Sequence, residues 1–312
     1  MPQVLLRPFR LIPRFLDKVW GAESLAPWFP STGTKTGEAW FTDAHNATTL
    51  VGDSGQAVTL GDAVSQHGSA LLGTAIAPTL CPLLVKFLFT SEKLSVQVHP
   101  NDAFAAEHEQ SLGKTEMWHV LRAEPGASVA AGFKKAHTSE EVERAALDGS
   151  IEEMLQWWPV QAGDTIYIPA GTVHAIGPGL ALCEIQQTSD VTYRLYDYGR
   201  PRELHIEKSL AVSELGPHPG PVPPQDLGDG RALLAEGPYF RTEKLEVAAG
   251  QPWEFRPNAS HFALLIVLEG QGSLGSLAMQ PGDVVLLPAT GESATLRATE
   301  NLRMLHTFPP VS

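Results

Sequence analysis

The sequence predicts a mainly β protein made of two small β-barrels with a few short helices. Short apolar runs, punctuated by 28 Gly and 25 Pro, dominate the chain and favour strands separated by turns. A weak internal repeat indicates that the two barrels are related. Gln161–Gly179 and Gln280–Leu296 each read Gly-Asp, an apolar strand, Pro and then a Gly turn.

Length and composition place the chain among globular proteins. Its 312 residues suffice for one large domain or two modest ones, and 43% of them are hydrophobic, which is ample for a core. The formal net charge of −13 argues against nucleic acid or an anionic membrane as a partner, because both require a basic surface. A small anionic substrate is still compatible with this charge where a few Lys and Arg side chains converge.

Signals for secretion or membrane insertion are not found in the sequence. Pro8 and Pro13 interrupt the apolar residues near the N-terminus, so a signal peptide is not expected. No run approaches the roughly 18–20 apolar residues of a membrane helix. Cys81 and Cys183 form no CxxC pair and lie in apolar runs, which favours buried, reduced thiols. We therefore expect a cytoplasmic protein.

Three stretches carry helical rather than strand signals. In the first stretch, which begins at residue 59, Asp62 lies near the start and apolar residues are spaced for one helical face. The third opens with Thr138 or Ser139 as the N-cap, followed by an acidic first turn. The three stretches are residues 59–73, 101–110 and 138–158.

Pro and Gly are concentrated between Glu214 and Gly230, in a segment too rich in both for a regular element. We interpret residues 216–230 as a linker. It would join an N-terminal domain with short helical segments, residues 1–215, to a C-terminal domain, residues 231–312.

The two copies of the repeat differ where chemistry is expected. The first continues from Pro169 and Gly171 to His174, and this tight turn would aim the imidazole into the barrel. The second copy has Ser293 and Ala294 in the corresponding place. A surface position for His174 is the alternative that local sequence leaves open.

The stretch LSVQVHP, from Leu94 to Pro100, places an amide and an imidazole in one strand. Because side chains alternate between the faces of a strand, Gln97 and His99 point to one side while Val98 points to the other. A buried His that hydrogen-bonds to the nearby amide is the simplest explanation. Binding of a shared ligand is the alternative, and it requires further donors from elsewhere in the chain.

Further donors are supplied by motifs that resemble a known family. The spacing Gly-x5-Pro-x-Gly-x2-His, ending at His174, fits the second conserved motif of the cupin superfamily without a gap. Leu83–Asp102, followed by Gly113–Leu121, looks like the signature of type I mannose-6-phosphate isomerases, and the short bacterial form is the most similar. Gly37–Asp43 and Ser189–Leu210 resemble further blocks of the same family, in the same order.

The likeness extends over roughly Val19–Leu210, and the C-terminal part matches only as a degenerate cupin. The resemblance implies two cupin-type (jelly-roll) β-barrels. The N-terminal barrel would bind a metal, and the C-terminal barrel, which has Ala294 where the first copy has His174, would be metal-free.

The resemblance also implies one Zn²⁺ per chain. Its ligands would be Gln97, His99, Glu116 and His174. Imidazoles and a carboxylate suit catalytic zinc, with water or substrate in the remaining position. Gln97 is a weak ligand, which would leave the metal more Lewis-acidic.

The reaction that the resemblance implies is the interconversion of mannose 6-phosphate and fructose 6-phosphate through a cis-enediol. This chemistry needs an electrophile for the enediolate oxygens, a general base near C1 and C2, and a cationic cradle for the phosphate. Arg194 matches an active-site Arg of the family and would be a fixed cation beside the zinc. The alternative is a structural ion pair of Arg194 with Asp190 or Asp197.

Several residues are candidates for proton transfer or substrate binding. Lys86 lies in an otherwise apolar strand, where an unpaired ammonium is costly and the neutral amine, a usable base, is favoured. The resemblance adds Asp190, which would otherwise cap a turn, and Lys114, which would equally hold substrate oxygens. Trp20 matches an active-site Trp of the family, and a core position explains it as well.

One departure from the family pattern bears on the mechanism. Longer members often have a His before the Lys of the KxE block, whereas Gly113 stands there in this chain. If that His helps to open the sugar ring, this protein must use another group or water. His119 is a poor substitute, because it falls on the opposite strand face from Glu116.

Two other classes of function stay open. A different metal-dependent cupin enzyme, such as an oxygenase, would prefer a His and carboxylate triad on iron, whereas Gln97 favours the isomerase. A sugar-phosphate-binding regulator would keep the metal without turnover, and Gly113 is compatible with that. The expected partner is a small hexose 6-phosphate, and the expected assembly is a monomer or a weak dimer.

Overall fold

The computed structural model describes residues 6–51, 56–77 and 79–310. The predicted domains included residues 1–5 and 311–312, which lie outside the described part. Within the described ranges the chain forms 24 strands and six helices, which confirms the mainly β prediction. In the same ranges, no helix has the length and apolar character to cross a membrane. The helices are α1 (Leu60–His67), α2 (Ser69–Leu72), α3 (Asp102–Glu109), α4 (Ser139–Asp148), α5 (Ile151–Met154) and α6 (Ile206–Val212).

The strands fall into an earlier and a later group along the chain. The earlier strands are β1 (Phe9–Leu11), β2 (Arg14–Ala22), β3 (Thr36–Trp40), β4 (Ala47–Val51), β5 (Ala57–Thr59), β6 (Leu83–Thr90), β7 (Val96–Val98), β8 (Glu116–Ala123), β9 (Ser128–Phe133), β10 (Leu155–Pro159), β11 (Thr165–Ile168), β12 (His174–Ile176), β13 (Leu180–Gln187) and β14 (Tyr193–Tyr196). The later strands are β15 (Gln225–Gly228), β16 (Arg231–Glu236), β17 (Arg241–Val247), β18 (Pro252–Phe255), β19 (Ala263–Glu269), β20 (Gly272–Leu274), β21 (Leu277–Met279), β22 (Val284–Leu287), β23 (Ala294–Ala298) and β24 (Leu302–Phe308).

Two antiparallel sheets come from the earlier strands. The six-stranded sheet has the order β11-β8-β13-β6-β2-β3, and the five-stranded sheet has the order β10-β9-β12-β7-β14. Apolar side chains of both sheets share one core, which includes Trp20, Leu88 and Trp118 from the first and Val129 and Ile176 from the second. These two sheets therefore face each other, and the strands that carry the predicted site residues belong to them.

The other two sheets contain the later strands. The nine-stranded sheet has the order β15-β16-β17-β24-β19-β22-β1-β4-β5, and the four-stranded sheet has the order β18-β23-β20-β21. Strand β1 pairs with β22, with Phe9 opposite Leu286, so the first strand lies in a sheet built mostly from C-terminal residues. The division into domains 1–215 and 231–312 stays a prediction, and it has to accommodate three strands from the N-terminal residues, β1, β4 and β5, in this sheet.

One part of the predicted linker has regular structure. Strand β15 falls inside residues 216–230 and pairs with β16, with Gln225 opposite Leu233. The expectation of an irregular segment is wrong here because the last residues of the linker follow its prolines and can join an existing sheet edge.

Helices form in all three predicted stretches, and one boundary is wrong. Thr138 is the N-cap of α4, where it forms a capping box with Glu141. Gly149, with φ of 86°, ends α4 in the left-handed conformation that glycine adopts easily. Residues 155–158, predicted as the end of the third helical stretch, belong instead to strand β10, because this strand pairs with β9.

The internal repeat corresponds to two similar turns. Asp164 accepts a hydrogen bond from the backbone of Gln161 at 2.8 Å before β11, and Asp283 accepts one from Gln280 at 2.9 Å before β22. The glycine before each Asp has positive φ, 96° and 89° respectively. The Gly-Asp signal therefore marks the same local structure twice.

Candidate metal centre and its cavity

His99, Glu116 and His174 form the centre of the candidate site. His99 directly follows β7, Glu116 begins β8 and His174 begins β12, and each is buried. Nε2 of His99 lies 3.5 Å from one carboxylate oxygen of Glu116, and Nε2 of His174 lies 3.6 Å from the other. One donor atom from each residue falls within 4.8 Å of the others, which suits a single metal ion.

The outer nitrogens of both imidazoles fix their orientation. His99 Nδ1 donates to the carbonyl of Val191 at 2.9 Å, and His174 Nδ1 donates to the carbonyl of Thr172 at 2.8 Å. Each Nε2 lone pair therefore faces the centre, as in histidines that ligate a metal. In the described part of the chain, neither His99 Nε2 nor Glu116 Oε1 has a hydrogen-bond partner, and Glu116 Oε2 faces Lys114 Nζ at 3.1 Å.

The electrostatics of the centre keep both imidazoles neutral. Burial, with the positive charge of Lys114 nearby, holds the pKa of His99 well below its ordinary value. Burial likewise lowers the pKa of His174 to about 4. Neutral imidazole is the form that binds a metal. The unpartnered buried donor atoms and the neutral histidines therefore fit a divalent cation.

Gln97 joins this centre from the middle of β7. Its Nε2 lies 3.2 Å from His174 Nε2, and its Oε1 accepts a hydrogen bond from Ser95 at 3.2 Å. Val96 and Val98 on the other face of β7 are buried in an apolar core. The predicted alternation is confirmed: Gln97 and His99 share the face that points at the centre.

A cavity of about 180 Å³ adjoins the centre. Gln97 and Lys114 line it, and each also contacts a residue of the centre. Apart from His99, Glu116 and His174, every residue predicted for the site lines this cavity. These residues are Trp20, Lys86, Gln97, Lys114, Asp190 and Arg194.

Lys86 is buried as expected, and it forms an ion pair. Its Nζ lies 3.4 Å from Glu184 Oε1 and 4.4 Å from the centroid of the Trp40 ring. Trp118 Nε1 donates to the other carboxylate oxygen of Glu184 at 3.1 Å. Burial, with the negative charge of Glu116 nearby, raises the pKa of Glu184. The predicted cost of an isolated ammonium is therefore relieved by a buried carboxylate.

Lys114 is also held by carboxylates. Its Nζ lies 3.1 Å from Glu116 Oε2. Burial by itself would lower the pKa of Lys114, but the charges of Glu116 and Glu184 outweigh burial and raise it. Lys114 is therefore a persistent cation at the boundary between the centre and the cavity.

Arg194 lies on β14, directly opposite Gln97 of β7. Among the described residues it forms no ion pair with Asp190 or Asp197, so the structural alternative for this Arg is not seen. Its Nε is buried without a hydrogen-bond partner. Burial and the neighbouring charge of Arg202 lower the pKa of Arg194.

Sequence reasoning missed several cavity residues, of which Glu184 is the most informative. It interrupts the apolar strand β13 as Lys86 interrupts β6, and the two residues are directly opposite each other. The sequence signal for this pair was a single charged residue in each of two apolar runs, with opposite signs. The other missed charged residues that line the cavity are Lys18, Glu38 and Arg202.

Gly113 leaves no room for the His of longer family members. A Cβ atom at this position would lie 2.5 Å from backbone atoms of Asn101 and Asp102, at the start of α3. His119 does not replace it, because its Nδ1 bonds to Thr165 at 2.9 Å and it lines a different cavity with Lys244. The expectation that His119 is a poor substitute is consistent with this placement.

His119 gives a prediction about stability. Burial, followed by the charges of Lys244 and Arg303, lowers its pKa from 6.5 to about 4. The unfolded chain therefore binds a proton at higher pH than the folded one, and stability falls as pH drops from about 6.5 to 4. Exchange of His119 for Gln should remove about 3 kcal/mol of that pH dependence. Urea denaturation of both proteins across this range checks it, and parallel stability curves would contradict it.

The comparisons with known proteins agree with this geometry. The family described as Phosphomannose isomerase type I, catalytic domain, matches residues 8–119. The mannose-6-phosphate isomerase of Streptococcus mutans is 36% identical over 93% of this chain and 95% of that protein. Mannose-6-phosphate isomerase ManA of Bacillus subtilis is also 36% identical, over 90% of this chain and 93% of that protein.

A solved structure shows the same fold. The crystal structure of the mannose 6-phosphate isomerase from Bacillus subtilis matches with a TM-score of 0.85 and 29% identity, covering 96% of this chain and 99% of that one. The resemblance found in the sequence is therefore confirmed. With two named isomerases similar over almost its whole length, the chain is an enzyme of the type I mannose-6-phosphate isomerase family.

Proposed function

We propose that this enzyme is a zinc-dependent aldose-ketose isomerase that interconverts mannose 6-phosphate and fructose 6-phosphate through a cis-enediol. The observation that carries the proposal is the pair of buried donor atoms without a hydrogen-bond partner, His99 Nε2 and Glu116 Oε1, beside a cavity with several cations. Such a cavity suits a phosphorylated substrate, and such donors suit a Lewis-acidic metal.

Gln97, His99, Glu116 and His174 would hold one zinc ion per chain. When bound, zinc supplies a positive charge that stabilises negative oxygen atoms of the substrate. In this proposal the five- and six-stranded sheets form the metal-binding cupin barrel. The four- and nine-stranded sheets form the metal-free one, in agreement with Ala294 at the position that corresponds to His174.

The remaining groups have separate roles in the proposed reaction. Asp190 and Lys86 face the cavity and would move the proton between C2 and C1 of the sugar. Glu184 positions Lys86 through their ion pair. Lys114 and Trp20 would contact the substrate, and Arg194 would donate hydrogen bonds to the enediolate oxygens.

A coupled assay tests the proposal. Purified protein should convert mannose 6-phosphate to fructose 6-phosphate, lose this activity on chelation and regain it when zinc returns. Elemental analysis of the zinc-loaded protein should give one equivalent per chain, since the described residues contain a single His and carboxylate cluster of this kind. Turnover that survives complete removal of the metal, or a zinc-loaded protein without turnover, would contradict the proposal.

A further inference from the structure

Five cationic side chains line the cavity beside the metal centre. All but one have a carboxylate partner within salt-bridge distance. The pairs are Lys18 with Glu38 at 3.0 Å, Lys86 with Glu184 at 3.4 Å, Lys114 with Glu116 at 3.1 Å and Arg202 with Asp197 at 2.6 Å. In the described part of the chain, Arg194 is the cavity cation without such a partner.

The buried carboxylate of Asp197 holds one edge of the Arg202 guanidinium. Asp197 is 2% exposed and accepts hydrogen bonds from Nε and Nη2 of Arg202, both at 2.6 Å. Among the described residues, Nη1 of Arg202 makes no hydrogen bond, and the side chain retains 31% of its exposure. A guanidinium held in this way presents its remaining donors in one direction, at little cost in conformational entropy on binding.

The guanidiniums of Arg194 and Arg202 line the same cavity. The charge of Arg202 is the largest cause, after burial, of the lowered pKa of Arg194. Two neighbouring cations, one of them without a partner, are stabilised when an anion comes to lie beside them.

The position of Arg202 distinguishes its role from that of Arg194. Arg194 is directly opposite Gln97 of the metal centre, so it is placed to meet the reacting end of a sugar. Arg202 and Lys18 are partly exposed residues of the same cavity, with 31% and 34% of their side chains accessible. In a hexose 6-phosphate, the phosphate on C6 is at the opposite end of the sugar from C1 and C2.

We propose that Arg202, oriented by Asp197, binds the phosphate group of the substrate and gives the enzyme its preference for phosphorylated sugars. This inference rests on the proposed function for the identity of the substrate. Planar guanidinium groups bind phosphate through paired, charge-assisted hydrogen bonds, which is the role that the free edge of Arg202 fits.

Exchange of Arg202 for Gln tests this role. Loss of one charge-assisted contact should raise KM for mannose 6-phosphate by about 10- to 100-fold, since such bonds contribute roughly 1.5–3 kcal/mol. The contact is made equally in the ground state and the transition state, so kcat should change by less than about 3-fold. Arg202→Lys should recover part of the loss, because it restores the charge without the planar group.

Arg200 provides the matched control. It also pairs with Asp197, at 2.8 Å, but it is not among the residues that line the cavity. Arg200→Gln should therefore leave KM near that of the wild type. An unchanged KM in Arg202→Gln, or an equal rise in Arg200→Gln, would overturn the inference, because the effect would then be absent or would come from Asp197.

Wild-type turnover tests the proposed function separately from this inference. If the zinc-loaded wild type shows no turnover, calorimetric Kd values for mannose 6-phosphate replace KM in the same set of variants. A 10- to 100-fold weaker Kd in Arg202→Gln would still support the phosphate contact. If Arg202→Gln had the same Kd for mannose 6-phosphate as the wild type, or if the wild type did not bind this sugar, the inference would be overturned.

Discussion

His99→Ala and Glu116→Ala are expected to abolish metal retention and isomerase activity together. Each change removes one strong donor from a buried centre in which His99 Nε2 and Glu116 Oε1 have no hydrogen-bond partner among the described residues, while Lys114 Nζ lies 3.1 Å from Glu116 Oε2. Loss of groups that only support ligands typically weakens metal binding by about 10- to 100-fold, so loss of a ligand should cost more than about 100-fold. Dialysis against a zinc buffer, followed by elemental analysis and the coupled assay, measures both effects.

Two further variants serve as comparisons for this test. Gln97→Ala should weaken zinc binding less, because an amide is a weaker donor than an imidazole or a carboxylate. His119→Gln changes another buried histidine, which lies outside the centre, and should retain one equivalent of zinc. If Gln97→Ala proved the most damaging change, the proposed ranking of the ligands would be wrong. If His119→Gln also lost the metal, the losses would reflect general damage to the fold.

Local pattern was enough to predict much of the fold. The Gly-Asp turns before β11 and β22 are determined by short-range hydrogen bonds, and the capping box of α4 is likewise local. The strand character of Leu155–Pro159 was missed because it arises from pairing with β9, not from the residues themselves. The placement of β1 beside β22 depends on contacts almost 280 residues apart, which no window of sequence reports.

In the candidate site as well, local pattern was predictable and long-range pairing was not. Strand alternation alone placed Gln97 and His99 on one face, and the contacts of Gln97 with His174 and of His99 with Glu116 confirm it. The partner of Lys86 was not predicted, because the pairing of β6 with β13 is needed to bring Glu184 opposite it. Asp197 was considered as a partner for Arg194, but it binds Arg200 and Arg202 instead. Sequence proximity could not decide which of these neighbouring arginines takes the carboxylate.

Arg194→Ala is expected to lower kcat strongly while KM moves little. If Arg194 donates to charge that grows only in the transition state, its loss affects the chemical step more than substrate binding. Removal of one such donor typically costs about 10²–10³ in rate, or roughly 3–4 kcal/mol. The absence of an ion pair to Asp190 or Asp197 in the described structure predicts only a small change in melting temperature.

Arg194→Lys sharpens the measurement, because a point charge replaces a general electrostatic role in part but not paired hydrogen bonds. Melting temperature, zinc content and steady-state kinetics should be determined together on the wild type and both variants. A structural role would appear as a lower melting temperature, with activity falling only as far as folding does. Unchanged kcat in a folded, zinc-loaded Arg194→Ala protein would remove Arg194 from the reaction. The contrast with Arg202 is then decisive: Arg194 should change kcat and Arg202 should change KM, because one guanidinium meets the reacting carbons and the other meets the phosphate.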